Sequence, residues 1–348
     1  MEDKGHIIVT GGVGYIGSHT VVELLACGYI PIILDSLENS DPVILKGIKK
    51  ITGITPIFHK VNICSIDAMK ESLRDYRNIK GIIHFAAYKA VGESTSEPLK
   101  YYKNNVGGVM EILQLMKELK IPNLIFSSSC TVYGQPDTLP VNEQAPIKPA
   151  ESPYGRTKQM CEDIIHDFVV ANNEFRSVSL RYFNPVGAHS SALIGELPQG
   201  IPNNLVPFIT QTAYGIRKEL MVFGSDYDTT DGSCIRDYIH VVDLAKAHIT
   251  AMDRLITESN KEKFEIFNLG TGRGSSVLEM ITAFKEVNKV PLPFIITNRR
   301  PGDIEQVWSD TKHANEELGW KAEKGIKEML QSAWEWEKYY RQNILVEA

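Results

Sequence analysis

The sequence predicts an α/β protein: a doubly wound parallel sheet, joined to a smaller mixed α/β domain at the C-terminal side. Three observations predict it. Short strand patterns alternate with helical patterns over residues 6–183. A glycine-rich turn joins the first strand to the first helix. After residue 184 the rhythm breaks into a stretch rich in Gly, Pro, Asn and Asp. Residues 1–184 therefore read as one domain and 185–348 as a second, with a strand near 264–270 expected to return to the first.

Taken in order, His6-Ile-Ile-Val-Thr10 is a β-branched run that leads into Gly11-Gly-Val-Gly14-Tyr-Ile-Gly17. Val21, Val22, Leu24 and Leu25 carry a helix to Gly28, and Tyr29–Leu34 is a strand ending at Asp35. Glycines at this strand-to-helix turn let the backbone reach a pyrophosphate at the helix N-terminus. Asp35, 18 residues after the last glycine, can accept from ribose hydroxyls. An acid there repels a 2′-phosphate, so NAD is expected rather than NADP, on a Rossmann domain. The alternation continues with strand 55–61, helix 66–76, strand 81–87, helix 98–120, strand 123–129, helix 153–171 and strand 175–183. Ligands in such sheets bind beyond the carboxyl ends of the strands. Three of those ends carry unusual residues: Phe85–Lys89, Ser127–Thr131 and Tyr182–Pro185.

In the second domain the sequence predicts a short helix near 204–214, strand 264–270, helix 276–288, strand 293–298, and helices near 311–318 and 324–342. Its loops hold Arg217, Arg236, Arg299 and Arg300. A lone arginine is usually a solvated surface group, but a cleft between two domains is where a bulky anion would sit.

Ser152-Pro-Tyr-Gly-Arg-Thr-Lys158 opens the helix at 153–171, with Ser152 a good N-cap and Pro153 a good first residue. Tyr154 and Lys158 are four apart and share a face. A tyrosine of ordinary pKa about 10 must drop by roughly 3 units to act as a base near neutral pH. A lysine one turn away supplies part of that drop by favouring the phenolate. The plain reading is a surface i,i+4 pair, and the motif gains weight only from its surroundings.

Net charge is −6 with 37 basic and 43 acidic residues, which argues against a general nucleic-acid surface. No apolar run reaches the roughly 20 residues of a membrane span. The N-terminus reads as lacking a signal peptide. The cysteines (27, 64, 130, 161, 234) are odd in number and widely spaced, as expected of free thiols in a reducing, cytoplasmic compartment. No His/Cys cluster has metal-ligand spacing, so no metal is expected.

Together, the glycine turn, a serine 25 residues before Tyr154, and Tyr-x-x-x-Lys resemble the extended short-chain dehydrogenase/reductase superfamily. Within it the chain is similar to the UDP-glucose 4-epimerases. The likeness rests on Val9–Thr20, His84–Ser94, Phe126–Gly134, Leu180–His189, Pro198–Leu205, Arg236–Ala245, Arg299–Asp303 and Glu316–Trp320, and so covers nearly the whole chain.

The resemblance implies that Tyr154 removes the proton of the sugar 4-hydroxyl, Ser129 bonds the 4-oxygen and relays the proton, and Lys158 binds nicotinamide ribose and tunes the tyrosine. It implies tightly held NAD, hydride leaving C4, a keto sugar that turns over, and hydride returned to its other face. NAD contacts are implied for Gly11, Gly14, Tyr15, Ile16, Gly17, Asp35, Ser36, Asn39, Ser40, Asn62, Ile63, Phe85, Ala86, Lys89, Asn104, Tyr154, Lys158 and Tyr182. UDP-glucose/UDP-galactose contacts are implied for Ser129, Tyr154, Asn184, Asn203, Asn204, Leu205, Met221, Phe223, Arg236, Arg300, Asp303 and Val307. Arg236 and Arg300 suit a pyrophosphate because a guanidinium binds phosphate oxygens bidentately. A homodimer through helices 98–120 and 153–171 is implied as well.

Four departures stand out. Asn62 takes the place of a usual aspartate toward adenine, and its amide oxygen can still accept. Ala87 and Tyr88 vary a loop beside the nicotinamide, and Cys130 replaces an alanine next to Ser129. Val307, small where some relatives carry tyrosine, leaves room at sugar C2, so UDP-GalNAc and UDP-GlcNAc are expected to be accepted too. Two rivals stay in view: a nucleotide-sugar 4,6-dehydratase, disfavoured because Cys130 and Thr131 stand where an Asp-Glu pair is needed, and a non-catalytic NAD- or UDP-sugar-binding regulator.

Overall fold

The computed structural model describes residues 4–300 and 303–344. Strand β1 (His6–Thr10) turns through the glycines into α1 (Tyr15–Ala26), then β2 (Ile30–Asp35), α2 (Val43–Thr52), β3 (Ile57–Lys60), α3 (Ile66–Leu73) and β4 (Ile79–His84). Next come α4 (Val91–Ser96), α5 (Pro98–Tyr101), α6 (Gly107–Leu119), β5 (Asn123–Ser127), α7 (Pro153–Ala171) and β6 (Arg176–Tyr182). A wide turn at Tyr102–Val106 links α5 to α6, so the helix expected over 98–120 is two helices joined by a π-turn. Helices α2 and α4 were not expected from the sequence.

The large sheet has seven parallel strands in the order β10-β6-β5-β4-β1-β2-β3, where β10 is Phe264–Leu269. The order of strand addition reverses between β1 and β4, and the crevice at such a switch point is where ligands sit. Ile8 shows why the strands are apolar throughout: it lies between Ile32 of β2 and Ile82 of β4, and all three are fully buried. Helices cover both faces, which removes the polar-out alternation of a one-sided sheet. Val21, Leu24 and Leu25 of α1 pack on one face, and Ile112 and Met116 of α6 with Ile165 and Val169 of α7 pack on the other.

The chain then runs through β7 (Asn184–Val186), α8 (Leu205–Ala213), β8 (Leu220–Phe223), β9 (Ile235–His240), α9 (Val241–Ile256), β10, β11 (Gly274–Ser276), α10 (Val277–Asn288), β12 (Phe294–Thr297), β13 (Gln306–Val307) and α11 (Ile326–Tyr339). Strand β9 pairs with β7, β11 and β13, and β8 pairs with β12. Val206, Ile209, Phe284, Met329, Leu330 and Trp334 form a separate core there.

Residues 185–240 are more ordered than their composition predicts, since β7, β8 and β9 are short and interleaved with polar turns. Helix α9 was missed for a local reason. It follows β9 with no turn, and its N-cap is a histidine whose Nδ1 accepts from the Val242 N–H at 3.1 Å. Leu244, Ala247, Ala251 and Met252 bury it against the first-domain sheet. Helix α10, by contrast, carries a readable capping box, Ser276 with Glu279. Among the described residues no helix is long and apolar enough to cross a membrane.

Candidate active site

Helix α7 begins as its sequence dictates. The Ser152 Oγ accepts from the Gly155 N–H at 3.2 Å, and Pro153 is the first helical residue. This start places Tyr154 at the sheet's carboxyl edge with only 8 % of its surface exposed. Ser129, extended at φ −160° and ψ 151°, follows β5 and accepts from the Thr131 N–H at 3.2 Å. Lys158 is 4 % exposed; its Nζ donates to the Ser127 carbonyl at 2.7 Å and lies 4.8 Å from the centre of the Phe126 ring. The structure thus brings Ser129, Tyr154 and Lys158 to one buried corner.

Burial sets the electrostatics of this corner. It raises the Tyr154 phenol well above its ordinary range, Tyr182 adds to the shift, and Ser129 opposes it. Burial also pulls Lys158 down to about 8, against the opposing charges of Cys161 and Glu162. Both shifts disfavour the charged forms, and a further positive charge beside the phenol would favour the phenolate. Burial likewise pushes the Cys130 thiol and the Tyr182 phenol up to about 12.

The glycine turn leaves no room for a Cβ at two of its positions. At Gly17 it would lie 2.2 Å from the Gly11 carbonyl, and at Gly11, where φ is +69°, it would lie 2.8 Å from the Ala86 nitrogen. The turn is packed as tightly as backbone allows, against the first residues after β4. Helix α1 starts at Gly14 with no side-chain cap and no acid in its first turn, leaving an anion-receptive N-terminus. Asp35 is 7 % exposed, and its Oδ2 accepts from Val13 N–H at 3.0 Å while Oδ1 accepts from Leu37 N–H and Ser40 Oγ, both at 2.9 Å. A carboxylate offers about four acceptor sites, so capacity remains for a ribose hydroxyl. The residues fit a dinucleotide.

Several of the other implied cofactor residues have their side chains already engaged. Tyr15 donates its OH to the Gly187 carbonyl at 2.6 Å, tying α1 to the turn after β7 and engaging the hydroxyl. Ile16 packs on the core and Ile63 is buried against Gly108. Ser36 accepts from Glu38 N–H, and Asn39 is exposed. Asn62 Oδ1 already accepts from Cys64 N–H at 2.9 Å, which leaves it one free lone pair. Phe85 packs on the His248 ring at 4.6 Å, and Ala86 N–H reaches Thr10 Oγ1 at 3.4 Å. Lys89 pairs with Glu196 at 3.1 Å, Asn104 donates to Asn105 Oδ1 at 3.0 Å, and Tyr182 OH shares a 2.7 Å bond with Ser127 Oγ.

Across the cleft, Asn184 opens β7, exposed Asn203 precedes Asn204, and Asn204 N-caps α8, whose first residue is Leu205. Asn204 Nδ2 donates to Glu196 Oε1 at 2.6 Å. Met221 and Phe223 lie on β8; Met221 is exposed and Phe223 lies 5.3 Å under the Arg300 guanidinium. Arg236 Nη1 donates to the Ile235 carbonyl at 2.8 Å. Arg300 uses Nε and Nη2 on the Asp303 carboxylate, at 2.7–3.2 Å, leaving its Nη1 donors for a phosphate. Pro301 and Gly302 of that stretch lie outside the described residues. Val307 is 4 % exposed in an apolar cluster with Val132, Tyr133, Val141 and Phe183, against which Cys130 packs.

Sequence reading missed the buried network behind this corner. Glu162, one turn past Lys158, binds Arg181 bidentately (2.6–3.2 Å) and accepts from Ser128 Oγ at 2.6 Å and Ser179 Oγ at 2.8 Å. An acid within the buried face of α7 was the available signal.

A family model described as GDP-mannose 4,6 dehydratase matches residues 8–333. The chain is 50 % identical over 337 residues to a UDP-glucose 4-epimerase of Dictyostelium discoideum, covering 97 % of this chain and 96 % of that one. It is 45 % identical over 344 residues to a UDP-glucose 4-epimerase of Homo sapiens, covering 97 % of each. Among solved structures it resembles a UDP-glucose 4-epimerase from Stenotrophomonas maltophila with bound NAD and formylated UDP-arabinopyranose, at TM-score 0.93 and 44 % identity over 97 % of this chain and 99 % of that one. It also resembles one from Bifidobacterium longum in complex with NAD+ and UDP, at TM-score 0.91 and 44 % identity over 97 % and 99 %.

Proposed function

The chain belongs to the UDP-glucose 4-epimerases, and from that premise we propose that it interconverts UDP-galactose and UDP-glucose with tightly held NAD. The observation that carries this reading is the buried corner of Ser129, Tyr154 and Lys158, on the same sheet as a turn with no room for a Cβ at Gly11 or Gly17. Bound NAD+ supplies a reversible hydride acceptor for C4 and a positive charge beside the phenol. With that charge present, Tyr154 takes the 4-hydroxyl proton as C4 becomes a ketone. Ser129, whose hydroxyl opposes the upward shift of the phenol, passes the proton along. Lys158, anchored on Ser127, keeps positive charge beneath the base. Arg236 and the free edge of Arg300 grip the pyrophosphate while Asp303 takes uridine ribose hydroxyls. The keto sugar turns over with its nucleotide end held, and Tyr154 returns the proton as C4 is reduced on its other face. Electrons and protons balance with no net redox change.

A dehydratase needs a carboxylate beside the catalytic serine. Glu162, the buried acid on α7, is committed to Arg181, Ser128 and Ser179, and Asp237, whose charge reaches Cys130, is committed to Thr271 and Ser309, so neither is free for that role. The exposed apolar residues Leu99, Met110 and Val170 on α5, α6 and α7 support a homodimer through these helices, and five free cysteines support a cytoplasmic location.

The deciding experiment incubates purified protein with UDP-galactose and no added cofactor. A product of unchanged mass co-eluting with UDP-glucose is expected; a product lighter by one water means a dehydratase, and no product even with NAD means a binding protein. UDP-GalNAc should react as well because Val307 is small. No turnover of it, where UDP-galactose reacts, removes that extension.

A further inference from the structure

We infer that Ser128, tied to the buried Glu162–Arg181 pair, is a positioning residue for the catalytic serine and lysine. The inference rests on the roles proposed above. Three successive serines end β5, and each is engaged differently. Ser127 holds Lys158 Nζ with its carbonyl and Tyr182 with its hydroxyl. Ser129 accepts from the Thr131 N–H with its hydroxyl and opposes the upward shift of the Tyr154 phenol. Ser128 between them is fully buried; its N–H bonds to the Phe126 and Leu180 carbonyls at 3.0 Å, and its Oγ donates to Glu162 Oε1 at 2.6 Å.

What Ser128 grips is itself immobile. Glu162 and Arg181 are 6 % and 4 % exposed, and the Arg181 guanidinium lies 4.8 Å from the Tyr133 ring, whose OH donates to Asn268 Oδ1 at 2.7 Å. A buried ion pair is weak evidence for stability, since apolar residues of similar volume often serve as well. Here the pair anchors the short stretch of backbone that aims both catalytic groups.

A merely structural role makes a clear counter-prediction. Ser179, in the middle of β6 and also fully buried, gives Glu162 Oε1 the same kind of bond at 2.8 Å. If the network only fastens α7 to the sheet, the two hydroxyls are equivalent. If it positions, they are not, because only Ser128 is bonded directly to residues that touch Tyr154 and Lys158. The titratable groups that act on Lys158 are His84 on β4 and Cys161 and Glu162 on α7, with the Tyr154 ring centre 5.9 Å from its Nζ.

The test compares Ser128→Ala with Ser179→Ala by crystal structure, steady-state kinetics on UDP-galactose and the pH profile of kcat. A displacement near 1 Å costs up to about 100-fold. Ser128→Ala is expected to lower kcat at least about tenfold with KM unchanged, to move the acid limb upward, and to lengthen the 2.7 Å Lys158–Ser127 bond. Ser179→Ala should leave that bond, the acid limb and kcat near wild type while losing similar stability. Equal effects of the two, or a Ser128→Ala loss confined to KM or to NAD retention, overturns the inference. Should Ser128→Ala fail to fold, Ser128→Cys, nearly equal in volume and a weak donor, should show the same split. Wild-type protein inactive on UDP-galactose would refute the functional reading instead, and the Lys158–Ser127 distance in the two variants would still decide this one.

Discussion

The Lys158 ammonium lies 5.9 Å from the centre of the Tyr154 ring and gives its hydrogen bond to the Ser127 carbonyl, 2.7 Å away. The two side chains share a helix face, and the lysine's hydrogen bond goes to backbone rather than to the phenol. Lysine is thus placed to act on the phenol through space, and only while it keeps its own proton.

Tyr154→Phe should lower kcat by about 10²- to 10⁴-fold while the protein still carries NAD, because only the proton acceptor is lost. Lys158→Met should move the acid limb of kcat up by roughly one unit or more, since removing a neighbouring positive charge disfavours the phenolate. A pH-rate profile checks both; an acid limb that stays in place would mean that Lys158 binds without tuning.

Acid should destabilise the fold earlier than carboxylate titration requires. Burial pulls His19 and His84 down to about 3, and His240 and His248 to about 4. Each is neutral when folded yet takes a proton near 6.5 when unfolded, so stability is whole above about pH 6.5 and falls as pH drops toward the folded values. Each histidine should contribute a loss of about 1 kcal/mol per pH unit in that window. Denaturant unfolding between pH 5 and 8 reads this directly, and an unchanged midpoint from pH 7 to 5 would contradict it.

Gly17→Ala forces a Cβ to within 2.2 Å of a backbone carbonyl, and backbone cannot swing aside. It should cost about 2 kcal/mol or more and strip NAD from the protein. Gly92→Ala on α4, where a Cβ meets nothing within 4 Å, should change stability by less than about 1 kcal/mol in the favourable direction. Thermal melts and cofactor absorbance separate the two.

Cys130 should be a poor nucleophile despite its position, because burial holds its thiol near 12. Iodoacetamide at pH 8 should label exposed Cys27 first and leave activity largely intact. Rapid inactivation with Cys130 modified would show that the pocket opens to solvent.

Most of the large sheet and helix α7 were legible because their signals are local (β-branched runs, a glycine turn, and the Ser152-Pro153 start of α7), whereas the short helices α2 and α4 were not. Tyr154 and Lys158 could be paired by spacing alone. Helix α9 was not legible, because β9 runs straight into it and its cap is an unusual histidine. The Glu162–Arg181 network was hidden for a different reason. Its members are 19 positions apart and meet only when α7 docks on β6, which no periodicity reports. Arg236 and Arg300 were found by type, but that Arg300 is already bound to Asp303 is a fact of three dimensions.

Strand β10 closes the large sheet beside β6 although more than 80 residues separate them in the chain. During synthesis, then, the nascent sheet must wait with the β6 edge bare until residue 269 has emerged. A chain stopped at residue 184 would present that edge, carrying buried Val178 and Leu180, to any passing strand. Such a fragment should aggregate rather than persist as a small cofactor-binding module, so the two halves of this protein mature as one unit.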